Sequence, residues 1–208
     1  MCRRRFDNRS TVPYFSQWES AALAPDIASG RARLIDDPHW SASGARTPEE
    51  YAAWANHVCG MACLKMVLAT RTGRIVPTLE LARIARRYGA YTVDNDAIRG
   101  LIYAPFVECV ALEFGIRAEV VTEITAADLA AQLRRAEFFM ASVHPGIREP
   151  QVAPPTRGGH LVLVTAAQGA MVRFHNPSGI DPATRADVCM PVTVFAGFFA
   201  GRGIAILR

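Results

Sequence analysis

The stretch Gly158-Gly159-His160-Leu161-Val162-Leu163-Val164-Thr165-Ala166-Ala167-Gln168-Gly169-Ala170-Met171-Val172-Arg173-Phe174-His175-Asn176-Pro177 decides how this chain folds. His160 to Val164 is a short apolar run rich in β-branched residues, and Met171 to Phe174 is a second. Ala167-Gln168-Gly169-Ala170 lies between them and carries a turn glycine, so the two runs read as a β-hairpin. If the turn centres on Gln168, Asn176 stands opposite His160, and opposed side chains lie about 5 Å apart. A two-residue turn at Gln168-Gly169 sets His160 against Pro177 instead. Opposition of the two polar side chains therefore needs an odd-length loop, a bulge, or a strand end that has left the ladder. Gly169 suits a three-residue loop.

Further strands are read outward from this hairpin at Ala118 to Val121, Phe138 to His144 and Gly203 to Leu207. Helices dominate upstream. Cys59 to Arg71 is rich in Ala, Leu and Met and stops at Gly73. Thr78 to Tyr88 sets Leu79, Leu81, Ala82, Ile84 and Ala85 on one broad apolar stripe before Gly89. Leu101 to Phe114 precedes Gly115, and Thr125 to Arg135 opens with a capping-box pattern. Helices first and antiparallel strands later predict an α+β fold, N-terminal helices packed on a C-terminal sheet. Near the start, Val12-Pro13-Tyr14-Phe15 reads as extended.

The chain has 208 residues, 50% of them hydrophobic and 20% charged. That length predicts one domain, residues 1–208, with a real core. From about 18 to 53 the sequence is punctuated by prolines and glycines and reads as an inserted excursion. Thr47-Pro48-Glu49-Glu50 inside it has the form of a helix start. Its aromatics, among them Trp18, Trp40 and Tyr51, predict that it folds over the domain and lines one side of a substrate cleft. The net charge of +4 comes from scattered arginines, with Arg3-Arg4-Arg5 the densest run and Lys65 the one lysine. Without a clustered patch, nucleic acid is not expected as a partner. No run of about 18 apolar residues exists, so no membrane insertion is expected. The basic N-terminus has no apolar stretch behind it, so the protein is expected in the cytoplasm.

Five cysteines, Cys2, Cys59, Cys63, Cys109 and Cys189, fit neither a disulfide framework nor a zinc site, and no metal or cofactor is expected. Cytoplasmic thiols would all be reduced. Cys59 differs from the others because it opens the first strong helix. There the unpaired N–H groups and the helix dipole favour the thiolate. Gly60 leaves the approach to that sulfur open, and Gly159 lets another body pass close to His160. A thiol on a helix start, with His160 and Asn176 on later paired strands, is a Cys-His-Asn arrangement suited to nucleophilic catalysis.

Val12-Pro13-Tyr14-Phe15-Ser16-Gln17, Cys59-Gly60-Met61-Ala62-Cys63-Leu64, Gly159-His160-Leu161-Val162-Leu163-Val164 and Asn176-Pro177, in this order, resemble the bacterial papain-like cysteine peptidases related to the bacteriocin-processing, double-glycine-leader peptidase domain. The resemblance implies a papain-like fold. It also implies Cys59 as nucleophile, His160 as general base, Asn176 as the group that orients it, and Gln17 as an oxyanion donor. Asn56 is a local alternative to Gln17. Gly60, Gly159 and Trp18 are the expected substrate contacts. The chain departs from the pattern in its longer Gln17-to-Cys59 stretch and in Met61, where the family often has proline, and the double-glycine preference is not carried over. The expected activity is hydrolysis of a peptide bond in a peptide or protein substrate through a thioester. Acyl transfer on the same residues, as a transpeptidase or cyclase, and a non-catalytic peptide-binding module are the alternatives.

Overall fold

The structure is a computed structural model that describes residues 11–95 and 97–208. Cys2 and Arg3-Arg4-Arg5 lie outside the described residues. After an extended segment, the excursion forms α1 (Ala24–Ala28), three short 3-10 turns and α2 (Pro48–Trp54). The helical layer follows as α3 (Cys59–Thr72) and α4 (Thr78–Arg87). A small hairpin, β1 (Thr92–Asp94) and β2 (Ala97–Arg99), leads into α5 (Tyr103–Phe114). Then come β3 (Ala118–Val121), α6 (Leu129–Arg135), β4 (Ala136–Val143), β5 (His160–Gln168) and β6 (Met171–His175). The chain continues through α7 (Pro182–Arg185), β7 (Val188–Pro191), α8 (Val192–Phe198) and β8 (Phe199–Leu207).

Strands β3 to β8 make one six-stranded sheet in the order β3-β8-β4-β5-β6-β7, antiparallel throughout. The fold is α+β, as its sequence pattern predicts. Alternation along the strands sends side chains to two cores. Phe138, Met140, Leu161, Leu163, Ile204 and Ile206 meet α3, α4 and α5 on one face. Phe139, Ala141, Val143, Val162, Val164 and Ala205 meet Leu129 of α6 and Phe195 and Phe198 of α8 on the other. Helix α3 is apolar all round because it is buried all round: Gly60 through Leu68 are all buried.

The excursion has a small core of its own, with Trp18, Ala24, Tyr51 and Ala55 buried together. Its polar centre is Asp37, 1% exposed. Ser20, through its N–H and its hydroxyl, Tyr51 through its hydroxyl and His39 through its N–H all donate to that carboxylate. Burial alone would raise the Asp37 pKa, but these four donors outweigh it and hold the group below its ordinary value. Among the described residues no single helix is long and apolar enough to cross a membrane.

Candidate active site

Two features of the hairpin bring His160 and Asn176 together. The turn is Gly169-Ala170, with Gln168 opposite Met171, and not the expected three-residue loop. A register shift between Val164 and Ala166 then inserts one extra residue into β5. Leu163 therefore faces His175, and the same register carries Asn176 opposite Val162, on the face that His160 shares by the period of two. The two side chains are diagonal rather than directly opposed. The His160 Nε2 lies 2.9 Å from the Asn176 Oδ1, both residues buried.

A residue that sequence reasoning missed settles how the proton is held. The backbone N–H of Ser178, 1% exposed, lies 3.1 Å from that same Asn176 atom. A backbone N–H can only donate, so the atom it meets is the amide oxygen. An oxygen acceptor requires a protonated nitrogen on His160, which makes Nε2 the N–H and leaves Nδ1 with its lone pair. The Ser178 hydroxyl adds contacts of 3.1 Å to His160 Nε2 and 3.2 Å to Asn176 Oδ1. The Asn-Pro-Ser-Gly turn could have signalled Ser178, since Asn side chains bond the N–H two residues on.

Burial pushes His160 down to a pKa of about 4. The Asn176 bond opposes this, and the positive charge of Arg148 adds to it. The imidazole is therefore neutral at pH 7. Cys59 is the first residue of α3 and half-buried. Burial pushes its thiol above the ordinary value, although the N–H groups of Leu161, Gly60 and Cys59 itself are aimed at the sulfur and pull the other way. This corrects the expectation of a resting thiolate: desolvation outweighs the helix start. Cys63, fully buried, gives its S–H to the Leu161 carbonyl at 3.8 Å. Cys59, Cys63 and Cys109 are free thiols, whereas Cys189 is disulfide-bonded, which corrects the expectation that every thiol is reduced.

Cys59 and His160 line one cavity of about 380 Å³. Gly159, Leu161 and Ser142 line it from the sheet, Arg202 lines it from β8, and Gly100, Leu101 and Tyr103 line it from the segment around the start of α5. Gly159 has φ +91°, and a side chain there would meet nothing within 4 Å, so its role is the backbone conformation at the cavity's edge. Gly60 is not a wall of the cavity. A methyl on it would come within 2.8 Å of Leu101 and 3.1 Å of Leu161, so it serves close packing rather than substrate access.

Gln17 is 4% exposed and also outside the wall; its Nε2 donates to the Ala55 carbonyl at 3.2 Å. One N–H of that amide remains for another acceptor. Its backbone N–H donates to the Pro177 carbonyl at 2.9 Å. Tyr14 and Ser16 donate to the Asn176 and Pro177 carbonyls at 3.0 and 3.1 Å, which zips the segment against the Asn176 loop. Asn56 is exposed, and its Oδ1 accepts from the Trp18 indole at 3.0 Å. Trp18 itself is 3% exposed inside the excursion's core. Trp18 and the rest of the excursion, expected to contact substrate and to line the cleft, are not among the residues that line this cavity, to which Gly100, Leu101 and Tyr103 contribute instead. Among the described residues no group of three His, Cys, Asp or Glu could hold a metal ion.

No family model and no curated protein matches this chain. Among solved structures it is similar to the peptidase domain of Streptococcus ComA, a bi-functional ABC transporter involved in a quorum sensing pathway. The two share 18% identity over 73% of this chain and 91% of that one, with a TM-score of 0.50. The fold is thus that of a papain-like peptidase domain.

Proposed function

We propose that the protein is a cysteine peptidase acting on peptides through Cys59, His160 and Asn176. The observation that carries this reading is the tautomer of His160: Nε2–H is tied to Asn176, and the basic Nδ1 remains for the thiol that lines the same cavity. The likeness to a peptidase domain supports it at the level of the fold.

In this mechanism the Cys59 sulfur attacks the peptide carbonyl carbon while His160 Nδ1 takes the thiol proton. The carbonyl oxygen becomes an oxyanion, met by the Cys59 backbone N–H. The C–N bond then breaks, the thioester forms, and the imidazolium returns its proton to the leaving amine. His160 next takes a proton from water, whose oxygen attacks the thioester. The tetrahedral intermediate expels the sulfur, which recovers the proton as the acid product departs. Asn176 keeps the ring in plane and accepts from Nε2–H throughout, and a hydrogen bond to a charged donor is about twice as strong as one to a neutral donor.

The test is a peptide library read by mass spectrometry, together with a peptide vinyl sulfone that alkylates an activated thiol. Wild-type protein should cut some members and carry one adduct on Cys59, and Cys59→Ala should do neither while keeping its melting temperature. An active, folded Cys59→Ala protein sinks the proposal.

A further inference from the structure

Arg202 has no part in the chemistry above, yet it reaches into the cavity that holds Cys59 and His160. A methyl built on Gly158, two residues before His160, would stand 3.5 Å from the Arg202 guanidinium and 3.3 Å from the Ser142 hydroxyl. These donors therefore gather beside the base. Tyr103 lines the same cavity. A second cavity, about 440 Å³, shares Arg202 as a wall and adds Arg157. Among the described residues, neither cavity has an acidic residue in its lining. Among the described residues neither arginine has an ion pair. Asp128, beside Thr125 on the rim of the second cavity, is spent on the Thr125 N–H and hydroxyl at 2.8 and 2.7 Å.

A cavity whose described residues offer a guanidinium and hydroxyl donors but no carboxylate is complementary to a carboxylate, which a planar guanidinium grips at two points. We infer that Arg202 is a specificity-determining residue that selects substrates bearing a carboxylate within a residue or two of the bond attacked. This rests on the peptidase reading and names its substrate class. The carboxylate can be an Asp or Glu side chain or the free C-terminus of a short peptide, and the experiment separates them.

One library carries Asp or Glu, Asn or Gln, or Lys at each position around the scissile bond, all with amidated ends. A second carries the neutral sequences with free C-terminal carboxylates. Wild-type protein should favour the carboxylate over its amide isostere at one position by about tenfold in kcat/KM, an ordinary yield for one partly exposed charge contact. Because Arg202 is exposed, that preference should shrink as salt is added. Arg202→Gln should abolish it, and Arg202→Glu should turn it toward Lys, with melting curves showing that both variants fold. Preference confined to the second library assigns the site to a terminal carboxylate. A library that is cut without any acidic preference, or a preference that survives Arg202→Glu, overturns this inference alone. If no peptide is cut and the vinyl sulfone leaves Cys59 unmodified, the peptidase reading fails and takes the inference with it.

Discussion

Asn176 has one side-chain oxygen and three donors aimed at it: His160 Nε2, the Ser178 N–H and the Ser178 hydroxyl. In the proposed mechanism it holds a ring, so its removal should cost turnover rather than binding. Asn176→Ala is expected to lower kcat roughly 10- to 100-fold, part of what a positioned general base supplies, with little change in KM. Steady-state kinetics decides it; a rise in KM at constant kcat would move Asn176 to substrate binding. The proposed mechanism needs His160 neutral, and the ring is held at about 4. The acid limb of kcat/KM should therefore fall near pH 4, well below the ordinary histidine range. The Asn176 bond favours the imidazolium, so its loss should push that limb further toward acid. Alkylation gives a third check. Cys59 opens on the cavity, whereas Cys63 and Cys109 are wholly buried. Iodoacetamide should modify Cys59 first, and more rapidly as pH rises, because its thiol sits above the ordinary value. Uniform labelling of the three would contradict the cavity described here.

Helix α3 starts where Leu101 and Leu161 leave room for a glycine and nothing larger. Gly60→Ala should cost about 1–3 kcal/mol by overpacking, and denaturant unfolding measures it. The same methyl pushes on Leu101, a cavity wall. Activity should therefore fall by more than the stability change explains. The excursion answers to Asp37: Asp37→Ala leaves four buried donors unpaired and should cost about 2–4 kcal/mol. Hydrogen exchange should place that loss between residues 18 and 55. How much of this was legible in the sequence depends on the reach of each interaction. The start of α3 at Cys59 and the start of β5 at His160 were readable, because local periodicity and glycine punctuation mark them. The hairpin was readable, and a bulge was one of three ways to align its ends, but the place of that bulge between Val164 and Ala166 was not readable. Strand β7 and helix α8 escaped, being short and apolar without clear punctuation. The strand read from Gly203 begins four residues earlier, at Phe199. The cavity's lining joins Gly100, Leu101 and Tyr103 to Arg202, residues brought together by tertiary structure that no local pattern encodes.

At the scale of the molecule, the buried histidines set the response to acid. Above pH 6.5 the folded and unfolded chains both hold His160 neutral, while between 6.5 and about 4 only the unfolded chain takes up the proton. Stability from this group is therefore present above pH 6.5 and is lost as pH falls toward 4, by roughly 3 kcal/mol in all. His175, also lowered by burial, acts in the same direction. Urea unfolding at pH 7 and pH 4.5 should show the drop, and His160→Gln should flatten much of it; equal midpoints at the two pH values would contradict a buried neutral His160. The order of the sheet carries one more consequence. Strand β8 is the last of the sheet in the chain, yet it lies between β3 and β4 in the interior of the sheet. A ribosome must pass residue 207, and the nascent chain must clear the exit tunnel, before that gap can close. Until then β3 has no partner and the Arg202 wall does not exist. A half-made copy thus lacks the assembled cavity, and the proposed chemistry can begin only once synthesis of the sheet is complete.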